Sequence, residues 1–209
     1  MSVPLLQARQ VAFTYGGRPV LECISLDLPA GSCTLIQGDN GSGKSTLLQL
    51  LQGRLQPSAG WVRLDGRSLR GQRGKVALVP QVPALRWHYP LDVIGLVALG
   101  CGGDRQRSHQ ALEQVDLAAQ AQAAIASLSG GQRQRALIAR ALAQQAAVLL
   151  LDEPLAFVDA TSREQLGALL SALTAAGTAV VLTAHGPLPA SFQAVRQLQL
   201  QHGHLLPGG

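Results

Sequence analysis

Apolar and polar residues alternate at Leu6, Ala8, Val11 and Phe13, and again from Cys23 to Leu28, which is the period of half-buried strands. A turn at Pro29-Ala30-Gly31 leads into the strand-like run Leu35-Ile36-Gln37. Leu47, Leu48, Leu50 and Leu51 then recur at helical spacing up to Gly53. Trp61 to Leu64, closed by Asp65-Gly66, predicts another strand, and Val76 to Val79 a short one stopped by Pro80. Val148 to Leu151 and Ala179 to Thr183 read as strands buried on both faces, while Gln132 to Ala143 and Arg163 to Ala175 read as helices. Such alternation predicts an α/β fold with a mostly parallel sheet covered on both faces, preceded by an N-terminal antiparallel β subdomain.

From Pro83 to Ser127 the pattern changes. Pro83, Pro90, Gly95, Gly100, Gly102 and Gly103 punctuate segments of helical composition, of which His109 to Gln122 is the clearest helix. The expected organisation is one domain over residues 1–209, with a core of 1–82 and 128–209 and a small helical insert at 83–127. The 209 residues are 47% hydrophobic, ample for one core. The net charge of +5 tolerates anionic partners, nucleic acid and an acidic membrane face among them, and selects neither. Cys23, Cys33 and Cys101 are far apart and form no metal-binding spacing, which suits buried or free thiols in a reducing compartment. The N-terminal residues do not read as a signal peptide, and the apolar run Leu91 to Cys101 is too short to cross a bilayer, so the expectation is a cytosolic chain.

Chemistry enters with Gly38 to Ser45, which reads G-x-x-x-x-G-K-S between a strand and a helix: the phosphate-binding loop of a P-loop NTPase core. Gly38, Gly41 and Gly43 let backbone N–H groups approach a polyphosphate, and the helix starting near Lys44 turns its positive end toward it. Lys44 would reach the β- and γ-phosphates and the Ser45 hydroxyl would sit on Mg²⁺. Asp152 and Glu153 stand at the carboxyl end of the Val148 to Leu151 strand, where open α/β sheets bind ligands. Asp152 would hold Mg²⁺ through water and Glu153 would polarise the attacking water. The third element, Leu128 to Arg135 (LSGGQRQR), reads either as a loop with Ser129 capping a helix or as a second phosphate cradle. A second cradle makes sense if it serves the nucleotide of another subunit.

With these pieces in this order, the chain resembles the ATP-binding subunits of ABC transporters over nearly its whole length. GDNGSGKS (Gly38, Asn40, Gly41, Gly43, Lys44, Ser45, with Thr46 following) resembles the Walker A loop, and Gln81 in VPQ the Q-loop glutamine. LSGGQ (Ser129, Gly130, Gly131, Gln132) resembles the family signature, LLLDEP the Walker B strand, Asp159 the D-loop acid and His185 the switch histidine. Tyr15 stands where the family stacks an aromatic on adenine, though it also fits an ordinary tyrosine at a strand end. The resemblance implies two chains closing head-to-tail around two ATP and Mg²⁺, with Ser129 and Gly131 of one touching the γ-phosphate held by the other. It further implies that Gln81 senses Mg²⁺, that His185 contacts the γ-phosphate, and that the insert grips separate integral-membrane permease subunits. The implied location is then the cytoplasmic face of the membrane.

The D-loop departs from the commoner small-polar run, reading Leu155-Ala156-Phe157-Val158-Asp159, and Pro187 stiffens the segment after His185. QHGH is read as a solvated tail soon after the last expected strand, and no regulatory domain is expected. Within the family, the insert's start (Gln81 followed by Trp87, Tyr89 and Pro90) and PLAFVDA resemble the zinc and manganese importer branch, although Val82 and Arg86 depart from its charge pattern. Trp87, Tyr89 and Pro90 equally suit plain packing of the insert. The branch implies metal-ion import with a solute-binding protein as a further partner; a haem-exporter-type ATPase is the alternative. A nucleic-acid-acting relative would need a long heptad run, and the sequence has none, so no direct nucleic-acid partner is expected. The LSGGQ segment disfavours a small-molecule kinase.

Overall fold

A computed structural model describes residues 4–72, 74–81, 90–156, 158–185, 188, 191–192 and 195–208. Val82, Pro83, Arg86, Trp87, His88, Tyr89, Phe157 and Pro187 lie outside the described residues. In chain order come β1 (Leu6–Tyr15), β2 (Arg18–Leu28), β3 (Cys33–Gln37), α1 (Lys44–Gln52), β4 (Ala59–Leu64), β5 (Arg67–Ser68) and β6 (Val76–Val79). They are followed by α2 (Val93–Ala98), α3 (Arg105–Gln114), α4 (Gly130–Ala143), β7 (Val148–Leu151), α5 (Ala160–Ala175), β8 (Ala179–Ala184), β9 (Val195–Gln201) and β10 (His204–Pro207).

The alternating N-terminal strands form an antiparallel sheet in the order β2-β1-β4-β5. The second sheet runs β10-β9-β3-β8-β7-β6, parallel from β9 to β6, with β10 antiparallel at its edge. Successive residues of the central strands serve two cores, as a period of two requires. Leu149, Leu151, Val180 and Leu182 pack with α4, α5 and the helices of 93–114. Val148, Leu150, Ala179 and Val181 pack with the leucines of α1 and the inner face of the antiparallel sheet. Each fully buried leucine contributes about 1.5–3 kcal/mol, so these layers fix the sheet rigidly. That rigidity matters because the carboxyl ends of β3, β8, β7 and β6, neighbours in the sheet, deliver residues 38, 185, 152–153 and 81 to one edge.

Helices α2, α3 and α4 pack together; at Gly100 a Cβ would strike the Arg140 carbonyl, so α2 ends hard against α4. Two expected elements differ. The helix predicted over His109 to Gln122 lies at Arg105–Gln114. Asp104 starts it early by accepting from the Arg107 N–H at 3.0 Å. Asp116, at φ +53°, stops it: the Asp116 N–H donates to the Glu113 carbonyl and the Leu117 N–H to that of Leu112. Two short 3₁₀ turns follow, at Ala118–Gln120 and Ile125–Ser127. The second difference is QHGH, expected as a solvated tail and found as the turn between β9 and β10. His202 (φ +47°) and Gly203 (φ +77°) have the paired left-handed backbone that a two-residue hairpin turn needs.

Candidate nucleotide site

The loop after β3 is shaped by contacts that glycine alone allows. A Cβ on Gly38 would collide with the Leu200 carbonyl oxygen of β9, and Gly43 caps α1 at φ +104°. Gly43 offers no side-chain cap, so the first N–H groups of α1 are left for an anion. Gly41 has φ +82° and open space around it; Asn40 and Ser45 are exposed and Thr46 is half-buried.

Lys44 turns back under this loop, donating to the carbonyls of Gly38 at 2.7 Å and Asp39 at 3.0 Å. Burial lowers its pKa, while the negative charges of Glu153, Asp152 and Asp39 work in the opposite direction. Its Nζ lies 3.9 Å from Glu153 Oε1 and 3.4 Å from His185 Nε2.

Glu153 is the hub. One carboxylate oxygen lies 2.6 Å from His185 Nε2, and the other accepts from Gln81 Nε2 at 3.2 Å. A carboxylate only accepts, so Nε2 carries the proton in this pair. The backbone of Glu153 is left-handed at φ +47°, and its N–H donates to Thr183 Oγ1 at 2.9 Å. Thr183 in turn donates to Asp152 Oδ1 at 2.9 Å, so one hydroxyl orients both acids.

The signature segment forms a separate station. Ser129 caps α4 in a reciprocal capping box: its hydroxyl accepts from the Gln132 N–H at 3.3 Å, and Gln132 Oε1 accepts from the Ser129 N–H at 2.9 Å. Gly130 is exposed. Gly131 is wedged against α5, where a Cβ would stand 2.6 Å from Ser162 Cβ. Asp159 caps α5 by accepting from the Ser162 N–H at 2.9 Å, a bond that holds its carboxyl below the ordinary carboxylate range. No described hydrogen bond joins residues 129–132 to the loop at 38–46. Tyr15, at the end of β1, is 51% exposed and meets Phe13 edge-on at 4.8 Å, leaving most of its ring free. A cleft of about 540 Å³ separates Pro19, Val20 and Glu22 of the next strand from residues 39–42.

A family model described as ABC transporter matches residues 21–156, well over half the chain. This chain belongs to the ABC transporter ATP-binding family. Among relatives, the zinc transport system ATP-binding protein TroB of Treponema pallidum is 35% identical over 191 residues, covering 86% of this chain and 72% of its own. The aliphatic sulfonates import ATP-binding protein SsuB of Pseudomonas putida is 41% identical over 195 residues, covering 92% and 71%. In three dimensions, a dimeric post-hydrolysis ATP-binding cassette bound to ADP and Pi superposes with a TM-score of 0.79 at 25% identity, covering 96% of each chain.

The chain is thus an ATPase, and its site suits a magnesium nucleotide. Ser45, Gln81 and Asp152 offer oxygen donors only, the set a hard cation takes. Because Gln81 gives its amide nitrogen to Glu153, its amide oxygen is left for a cation. Two residues escape a motif reading. Thr183, a buried hydroxyl in an otherwise apolar strand, was detectable as the polar exception in AVVLTA. Ser162 carries no such signal, because its role arises from where α5 packs.

Proposed function

We infer that this ABC ATPase powers solute movement through separate integral-membrane permease subunits, working as a head-to-tail dimer on the cytoplasmic face of the membrane. The observation that carries this reading is Glu153 suspended between His185 and Gln81 above the buried Lys44. Mg²⁺, held by Ser45, Gln81 and Asp152, would supply charge neutralisation at the phosphates when bound. Lys44 binds the β- and γ-phosphates once its ammonium leaves the Gly38 and Asp39 carbonyls. Glu153 accepts the proton of the attacking water, and His185, freed from Glu153, donates to the γ-phosphate. Ser129 and Gly131 of the second copy complete the site, and Asp159 lies at that junction. Two positive helix ends, those of α1 and the partner's α4, then face one polyphosphate. Tyr15 stacks on the base, its exposed ring being open to it.

The solute read first is a divalent metal ion, zinc or manganese, delivered by a solute-binding protein. The TroB likeness supports it together with the insert sequence around Gln81 and Pro90. The higher identity to SsuB supports a second reading, sulfonate import. Cells carrying only Glu153→Gln separate the two. A selective fall in zinc or manganese content supports the metal; normal metals with lost growth on a sulfonate as sulfur source support the second.

A further inference from the structure

Most of the 17 lysines and arginines are scattered along the chain, but six fall in one stretch. Between positions 53 and 75 the sequence holds Arg54, Arg63, Arg67, Arg70, Arg73 and Lys75 against the single acid Asp65. Two of them, Arg54 and Arg70, line an open cleft of about 840 Å³. Its walls are the end of α1, the loop after it, β4, and residues 68–72, 74 and 76. Leu55, Pro57, Val62 and Leu69 make it partly apolar. Three carbonyls (Leu64, Arg67, Ser68) accept from Gln72 Nε2 and fix the Arg-bearing loop, and Leu69 packs on Gly53.

Among the described residues, the side chains of Arg54, Arg67, Arg70 and Lys75 form no ion pair or hydrogen bond, and all four are exposed. Arg63 stacks on the exposed Trp61 at 4.3 Å. Exposed, unpaired guanidinium groups on turns make no stereospecific clamp for one small anion, which would need buried, oriented donors. They make a diffuse positive field, the kind that a charged surface answers.

The position of the cleft keeps it clear of the nucleotide residues. Helix α1 begins at the phosphate loop and runs about 13 Å away from it, and Val76 is the amino end of β6, whereas the nucleotide residues gather at the carboxyl ends. Two copies closing over their phosphate loops therefore leave both clefts on the outer flanks of the dimer. We propose that this basic lobe binds the headgroups of anionic phospholipids, resting the flank of each ATPase on the membrane beside its permease. This inference rests on the transporter reading above.

Each basic side chain near an anionic membrane is worth about a fivefold gain in partitioning. The test is cosedimentation of the purified chain with vesicles of phosphatidylcholine alone or mixed with phosphatidylglycerol, with ATP-driven dimerisation of the same protein measured alongside. Wild type should bind the mixed vesicles only, and lose that binding in high salt. Arg54→Glu with Arg70→Glu should weaken it at least about 25-fold while leaving ATP-driven dimerisation unchanged; Arg54→Gln with Arg70→Gln should do so about 25-fold. Equal binding of wild type and variants, or no preference for phosphatidylglycerol, would overturn the proposal and leave the charges as protection of the short edge strand β5. Loss of ATP-driven dimerisation in the wild type would instead strike the transporter reading and leave the vesicle result standing.

Discussion

Glu153 and His185 lie 2.6 Å apart across the ends of two adjacent parallel strands, so in the resting site the two side chains proposed for hydrolysis occupy each other. Gln81 holds the second oxygen of the same carboxylate. Nucleotide entry therefore has to exchange internal hydrogen bonds for bonds to phosphate and water. Replacing His185 with alanine should leave ATP affinity within about threefold and lower kcat by about 10²–10³, the range for loss of one positioned group. Equilibrium binding of a fluorescent ATP analogue beside steady-state hydrolysis separates the two effects.

Lys44 is buried, with carbonyls on one side and carboxylates on the other. Lys44→Met keeps most of its packing and removes its charge. Nucleotide affinity should fall by at least about tenfold, the scale of one lost charge-assisted hydrogen bond. Calorimetric titration with ATP checks this, and unchanged affinity would remove Lys44 from the phosphate site.

Thr183→Val keeps the shape of the side chain and deletes the hydroxyl shared by Asp152 and the Glu153 N–H. Leaving those groups unpaired should cost about 1–3 kcal/mol in denaturant unfolding. It should also lower kcat by more than it raises KM, because both acids lose their orientation rather than their presence.

Gly131 is expected to matter for packing as well as for phosphate approach. Gly131→Ala places a methyl against Ser162 and should destabilise by about 1–3 kcal/mol. Adding Ser162→Gly should restore most of that loss, which thermal unfolding of the single and double variants would show. Failure of the rescue would mean that the two helix starts are not in contact.

Burial pushes the Cys33 thiol up to about 11, whereas Cys23 is exposed. At pH 8 a maleimide should modify Cys23 in the folded protein and reach Cys33 only after unfolding. Mass spectrometry of the labelled peptides distinguishes the sites.

Much of this was legible in the sequence because local chemistry dictated it. Gly38, Gly43 and Lys44 sit in a loop whose backbone could be read from glycine spacing alone, and Ser129 with Gln132 announces its own helix start. The carboxyl end of α3 was misplaced because Asp116 stops the helix by adopting a left-handed conformation that its residue type permits but does not require. Alternation at Leu198 and Leu200 is too short to predict β9, and its value as the wall against Gly38 depends on pairing with β3, where Cys33 meets Val195. Ser162 acts through a neighbour from another element and no local pattern carries that; Thr183 stands out as the polar residue of an apolar strand, but its tie to both acids depends on the adjacent strand.

The central claim is that one site is built from two chains. Its most direct test is the mass in solution of Glu153→Gln with and without Mg-ATP, by sedimentation equilibrium. The account predicts a monomer without nucleotide and a dimer holding two ATP with it, abolished by a further Ser129→Arg. A variant that binds ATP yet remains monomeric at high protein concentration would contradict it.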